Sequence, residues 1–347
     1  FTAVPNMETH PAPSAPDQHL SLPDLAPEDL AAWMSGQGIN PLHAARVLRG
    51  VYAVPGEKER DWARLPAGLT ERVLAAFPRE ASSLVMRQIS EDGTAKLLLR
   101  LSDGRTVESV LMPDYHPDRA AGCLSSQVGC AMGCDFCATT QTGFERNLTA
   151  GEIVEQFIRL RREAQSAGRT LRSIVFMGMG EPMLNLKNVL TAIQRIAGPA
   201  LGGLGWRQVT VSTVGIVPGI EALREADPGV HLAISLHAPD DATRADLLPA
   251  GRRFDVQEVL AAASRYQETS GRTTTIQYCL LDGVNDSLAQ ARDLARLLHG
   301  RRMHVNLLRY NPTGLSLRGR SYLPSSPEHT EAFLAELRAH GAVAHLR

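Results

Sequence analysis

Three cysteines stand close together in the segment CAMGCDFC, at Cys130, Cys134 and Cys137, and they are three of the five in the chain. Thiolates are soft ligands that select zinc and iron–sulfur clusters. A structural zinc site wants four ligands, commonly as two paired Cys or Cys/His groups. No second Cys-x-x-Cys or His-x-x-x-His pair exists here, so zinc would have to recruit Cys123, His116 or a distant histidine. An iron–sulfur cluster is usually held by four thiolates. Three leave one iron open, and an open position on a metal marks a catalytic centre rather than a structural one. The plain alternative is three buried structural thiols. An odd, clustered set of cysteines does not look like a disulfide framework.

The elements around this segment must place it. From Gly122 onward apolar strands alternate with helical patterns. The strands are GCLSSQ, RSIVFMG, QVTVST, VHLAISLH, TTTIQYCLL and HVNLLRY. The helices start at Thr149 and lie near 186–196, 218–225, 255–268, 288–299 and 327–339. The first opens on TAGE, a Thr-x-x-Glu capping box at Thr149 and Glu152. Six βα units predict an α/β fold with a parallel sheet. The pattern does not decide between a barrel and an open sheet. Polar or Gly-rich residues recur where strand gives way to helix, in MGMGEP, STVG, SLHAPDD, DGVNDS and YNPTG. In α/β barrels chemistry sits at that carboxyl face, and the cysteine segment follows the first strand.

Residues 1–26 are rich in Pro and polar residues and read as a disordered tail. A small helical domain is expected over 27–80. It starts with PEDLAAWMSGQG, continues with NPLHAARVLRGVYA, where Leu42, Ala45, Val47, Leu48 and Val51 share roughly one face, and ends with LTERVLAAF. Over 81–115, Asp92-Gly93 and Asp103-Gly104 separate three apolar segments and predict a three-stranded meander. The core follows over 116–347. The chain is 44% hydrophobic and 21% charged, with a formal charge of −1. That is an ordinary soluble mix, and net charge gives no argument for nucleic acid. No apolar run approaches the roughly 20 residues of a membrane span, and no secretory signal is visible. A cytoplasmic protein is expected.

Taken together, CLSSQVGCAMGCDFCATTQTGFERNLTAGEI, FMGMGEPMLNLKNV, VTVSTVGIVPGI, LAISLHAPDDATR and LLRYNP resemble the RlmN/Cfr family of radical S-adenosylmethionine (SAM) RNA adenine methyltransferases. The resemblance runs from about residue 27 to the last. It implies a partial (β/α)6 radical SAM barrel and a [4Fe–4S] cluster held by Cys130, Cys134 and Cys137. SAM would chelate the open iron, contacting Gly180, Glu181, Ser212, Ser235, Leu236, His237 and Asn311. It makes Glu108 a proton acceptor and gives Cys123 a part in resolving a covalent RNA–enzyme intermediate. A thiolate at Cys123 near neutral pH requires a pKa below the ordinary value of about 8.5. The implied reaction puts a methyl on an adenine ring carbon, C2 favoured over C8, in 23S rRNA, with tRNA open as a second substrate. The implied partners are that RNA, held by the helical domain, and an electron donor such as a flavodoxin or ferredoxin, with the enzyme itself a monomer.

Cys279, in IQYCLL, matches no family role and is expected in the core. The resemblance also calls for a methyl-carrying cysteine after the strand in GAVAHLR, and no cysteine follows Cys279. The chain opens on Phe1 and stops within that strand, so a truncated C-terminus is expected. A SAM- and cluster-binding protein unable to transfer methyl is the alternative. A radical SAM enzyme acting on another substrate and a zinc-bearing RNA-binding module are further ones. Arginines cluster at RLRRE, GRRM and LRGR. Solvated helix faces account for most of them, and Arg318 and Arg320 are the candidates for phosphate contact.

Overall fold

The computed structural model describes residues 20–53 and 61–347. Three short helices come first, α1 (Pro27–Gly36), α2 (Ala44–Tyr52) and α3 (Leu69–Ala76). Pro27, Glu28 and Asp29 set the start of α1, as a missing N–H and two acids at a helix N-terminus should. Leu42, expected on the apolar face of the second helix, is exposed instead. Asn40 caps a separate 3-10 turn over Pro41–His43. That turn puts Leu42 out of phase with Val47, Leu48 and Val51, which are buried.

The N-terminal segment also departs from expectation. Residues 1–19 of the expected tail lie outside the described residues, and 20–26 are packed rather than loose. Ser21, Leu22 and Pro23 are buried. The Ser21 N–H and hydroxyl donate to Asp24 (3.1 and 2.8 Å), and the hydroxyl also reaches Glu155 at 3.0 Å. A proline-rich composition concealed one local turn with buried partners.

The meander forms as β1 (Ser83–Ile89), β2 (Ala95–Arg100) and β3 (Thr106–Pro113). Gly93 and Gly104 take the left-handed conformation that its Asp-Gly turns require. It is not a separate layer, because β3 pairs antiparallel with β4 (Arg119–Cys123), the first strand of the parallel set. A two-stranded ribbon follows, β5 (Gln127–Gly129) with β6 (Phe144–Asn147). The chain then alternates α4 (Ala150–Ser166), β7 (Thr170–Phe176), α5 (Leu186–Ala197), β8 (Val209–Thr213), α6 (Val217–Ala226) and β9 (His231–Ser235). It ends with α7 (Asp241–Leu247), α8 (Val256–Ser270), β10 (Thr274–Leu280), α9 (Leu288–Leu298), β11 (Met303–Arg309), α10 (Pro327–Ala339) and β12 (Val343–Leu346).

One ten-stranded sheet runs β1-β2-β3-β4-β7-β8-β9-β10-β11-β12. β1 and β12 are its two edges, so the sheet is open. From β4 to β12 every neighbouring pair is parallel. Val209, Val211, Leu232, Ile234, Ile276 and Val305 are fully buried, as strands covered on both faces should be. The predicted capping box holds α4: Thr149 Oγ1 accepts from Glu152 N at 3.1 Å, and Glu152 accepts from Thr149 N at 2.9 Å. The first strand ends at Cys123, earlier than GCLSSQ predicts. Ser125 N is diverted to the Gln156 side chain at 2.8 Å, which frees the chain to form the ribbon. Among the described residues no helix is long and apolar enough to cross a membrane.

The seat of 20–26 on α4 is testable. A Cβ added at Gly151 would lie 2.0 Å from Asp24 Oδ1. Gly151→Ala is expected to lower the unfolding free energy by about 1–3 kcal/mol, read from urea denaturation. An unchanged value would mean that Asp24 does not sit there.

Candidate active site

The three cysteines lie in the loop of the β5–β6 ribbon. Its register brings Gly129 opposite Phe144, and Cys130 N donates to Gly143 O at 2.9 Å. The ribbon stands at the carboxyl ends of the parallel strands. There Cys130, Cys134 and Cys137 line a cavity of ≈280 Å³ with residues from the ends of β7 to β11. Burial pushes the Cys130 thiol up to about 11 and Cys134 well above the ordinary range. A metal reverses that preference, because a coordinating thiol is deprotonated outright. Among the described residues no three His, Cys, Asp or Glu side chains converge on one ion-sized point.

Gly180 and Glu181 follow β7 on the same wall. Gly180 has φ +100°, and a Cβ there would sit 2.5 Å from Gln127 Cβ. The close approach lets Gln127 Oε1 accept from Glu181 N at 2.8 Å. The Glu181 carboxylate is 2% exposed. It accepts from Met183 N (3.0 Å), Val214 N (2.9 Å) and the Thr213 hydroxyl. Burial outweighs these donors and pushes its pKa up to about 7. Among the described residues no cation pairs with it.

Ser212 and Ser235 end neighbouring strands, with hydroxyls 3.4 Å apart. His237 has φ +59° and is buried. Its Nδ1 accepts from Cys279 N at 2.9 Å, so a neutral ring carries its proton on Nε2. Burial, then the Arg244 charge, pushes its pKa down to about 3, which keeps it neutral. Phe136 of the cysteine loop packs edge-on against it at 5.0 Å.

The cavity therefore gathers the three cysteines, Gly180, Glu181, Ser212, Ser235 and His237. Leu236 is fully buried beside it, its N–H donating to Gln277 O at 3.1 Å, and is not on the wall. Asn311 is exposed and off the wall, in the loop after β11. Glu108 pairs with Lys96 at 3.0 Å outside the cavity. Cys123 is buried, off the wall, and raised to about 11 by burial. The lowered pKa that a neutral-pH thiolate needs is not met here. Cys279, expected in the core, lines the cavity next to Cys134 and is pushed up to about 12 by burial.

Comparison with known proteins follows from this geometry. Residues 124–295 match the model of the radical SAM superfamily. A probable dual-specificity RNA methyltransferase RlmN 1 of Opitutus terrae is 65% identical over 327 residues, 94% of this chain and 92% of that one. A probable dual-specificity RNA methyltransferase RlmN of Streptomyces griseus is 43% identical over 94% of this chain and 89% of its own length. The crystal structure of a radical SAM methyltransferase from Sphaerobacter thermophilus superposes with a TM-score of 0.87 at 40% identity, covering 94% of this chain and 95% of that one. The chain belongs to the RlmN family of radical SAM enzymes. Its cofactors are those of the family, a [4Fe–4S] cluster and SAM.

The donor set fits both. Three soft thiols suit iron, and a buried carboxylate without a cation suits an ammonium or sulfonium.

Sequence reading missed several residues that hold this RlmN-family site. Asn285, fully buried, donates to His237 O (2.7 Å) and Cys279 O (2.8 Å) and accepts from Leu281 N (2.8 Å). Its only signal was membership of the polar turn DGVNDS. Arg244, also fully buried, donates to Val214 O (2.6 Å) and Phe254 O (2.8 Å). Asp135, between two of the cysteines, accepts from Tyr322 Oη at 2.7 Å. Asn285→Ala is expected to cost roughly 3–5 kcal/mol, because three buried backbone groups lose their partner. Chemical denaturation checks it, and a loss below about 1 kcal/mol would show that other groups satisfy them.

Proposed function

We propose that this chain methylates an adenine ring carbon, C2 favoured, in 23S rRNA and in tRNA. The observation that carries the reading is one cavity holding the Cys130, Cys134 and Cys137 thiols and a buried carboxylate that no cation among the described residues neutralises. The names of the curated relatives, dual-specificity RNA methyltransferases, support the RNA substrate. In this reading Cys130, Cys134 and Cys137 hold the cluster. Glu181 takes the ammonium of SAM, with Gly180 leaving room, while Ser212, Ser235 and the neutral His237 line its path and Leu236, buried beside the wall, backs it. When bound, the cluster and SAM supply a 5′-deoxyadenosyl radical, which suits a ring carbon that electrophilic transfer does not readily methylate.

The chain's own residues position and exclude. Phe136 and Met132 shield the cavity, and His237 offers a fixed N–H at Nε2. Asn311 and Glu108, outside the cavity wall, are proposed to reach their partners at its mouth. Glu108 then has to leave Lys96 to act as a proton acceptor. Cys123 acts on a covalent intermediate only if its burial is relieved.

The methyl-carrying cysteine of the family reading follows the last strand. β12 runs parallel to β11, so a cysteine after it would stand on the cavity face of the sheet.

Anaerobic reconstitution tests this. The reduced protein is expected to bind iron and sulfide and to release 5′-deoxyadenosine from SAM. No 5′-deoxyadenosine would overturn the reading. Glu181→Gln is expected to keep its iron and to weaken SAM binding by about tenfold or more, as loss of one charge-assisted hydrogen bond implies. Equilibrium dialysis with labelled SAM checks it.

A further inference from the structure

A second cavity, of ≈330 Å³, lies at the opposite end of the strands. Its walls include Arg119, Arg161, Arg172, Thr170 and Gln208, and no Asp or Glu among the described residues lines it. Arg119 and Thr170 are the first residues of β4 and β7 and stand in register. The active-site cavity opens at the other ends of these strands, about 15–20 Å away at the usual rise per residue.

Arg119 and Arg172 bring two guanidinium groups to one hollow, and among the described residues no carboxylate pairs with either. Arg161 is engaged, donating to Gly202 O at 3.1 Å. That contact is of the kind that arginines near a helix C-terminus make with carbonyls. Arg119 and Arg172 lie on strands, where no helix end recruits them. Arg119 Nε is buried and without a hydrogen-bond partner, and Arg172 is exposed at the mouth. Thr170 and Gln208 add a hydroxyl and an amide. A planar fork of N–H donors matches phosphate oxygens.

A second feature points to the same ligand. Tyr115 is 97% exposed and sits edge-on to His116. It lies on the turn closed by Arg119, through Asp114 N to Arg119 O (3.1 Å) and Arg119 N to His116 O (3.0 Å). An exposed aromatic on the turn that ends at Arg119, with a basic hollow lined by Arg119, is the pairing that single-stranded nucleic acid uses, one base stacked and its phosphate held.

We propose that this cavity is a second RNA contact, in which Arg119 and Arg172 hold a backbone phosphate and Tyr115 stacks on a neighbouring base. The RNA identity rests on the proposed function, whereas the phosphate chemistry rests on the cavity alone. The test therefore has two arms on the reconstituted chain. In the first, inorganic pyrophosphate is titrated calorimetrically at constant ionic strength, with chloride as control. Binding is expected, and Arg172→Gln and Arg119→Gln are each expected to weaken it by about tenfold. Arg172 is exposed, so its variant separates ligand loss from misfolding, and 5′-deoxyadenosine release without RNA should not change in it.

In the second arm, RNA binding is followed by fluorescence anisotropy across salt concentrations. Pyrophosphate is expected to compete, Arg172→Gln to flatten the log–log salt slope by about 0.7, and Tyr115→Ala to weaken binding by about fivefold or more. Pyrophosphate binding no tighter than chloride overturns the phosphate site. Pyrophosphate binding with no competition by RNA overturns the RNA assignment. If the wild-type chain then binds no RNA at all, the functional reading has failed as well.

Discussion

A carboxylate held in a dry cavity without a counter-cation is the constraint around which this site is arranged. Glu181 is fixed by backbone N–H groups from two loops, at Met183 and Val214, and its own N–H is held by Gln127. Three segments thus meet on one residue: the ribbon that carries the cysteines, the turn after β7 and the turn after β8. The Val214 peptide is gripped from its other side, where its carbonyl takes Arg244 at 2.6 Å. Buried carboxylates are expensive unless hydrogen-bonded. The donors that make Glu181 tolerable are also the ones that fix the positions of its neighbours.

The cysteine loop is fastened from its far side too. Asp135, 2% exposed, takes the Tyr322 hydroxyl and Arg318 N. Arg318 and Arg320 both close on Asp246. This corrects the expectation that Arg318 and Arg320 meet phosphate. An arginine pair already spent on a carboxylate has little left for a second anion. The RLRRE arginines behave alike, since Arg159 and Arg162 pair with Glu80. The clusters that are conspicuous in one dimension are mostly braces. Arg119 and Arg172, which have no carboxylate partner among the described residues, are far apart in sequence and brought together because β4 and β7 pair.

What could be read from the sequence follows from the range of the interactions. Asp-Gly turns, the capping box at Thr149 and Glu152 and the apolar strand runs are local, and each marked its element. The cysteine triplet was legible because its spacing is itself chemical information. Leu42 was misplaced because a 3-10 turn shifts the helical phase by less than a pattern can resolve. Asn285 and Arg244 were invisible because a buried polar residue is identified by partners distant in the fold. Arg244 looks like any other charge until its two carbonyls are in place. Cys279 is buried in the core as its strand pattern indicates, and the structure adds that it also lines the cavity.

The sign of the cavity bears on how an RNA could use it. The wall carries four cysteine thiols and a carboxylate, and the nearby guanidinium of Arg244, not itself on the wall, is committed to backbone carbonyls. Iron and a sulfonium are welcome there because they are cationic. A phosphate is not, since a second anion in a low-dielectric space beside Glu181 would be repelled with little solvent to screen it. Under the proposed function a nucleotide can enter only base first, as an uncharged ring drawn out of its stack. Its backbone must stay outside and be held by positive groups elsewhere. A fold that makes its reaction chamber negative and dry thus moves the work of gripping RNA to its exterior, and the unpaired arginines at the foot of β4 and β7 are placed for that work.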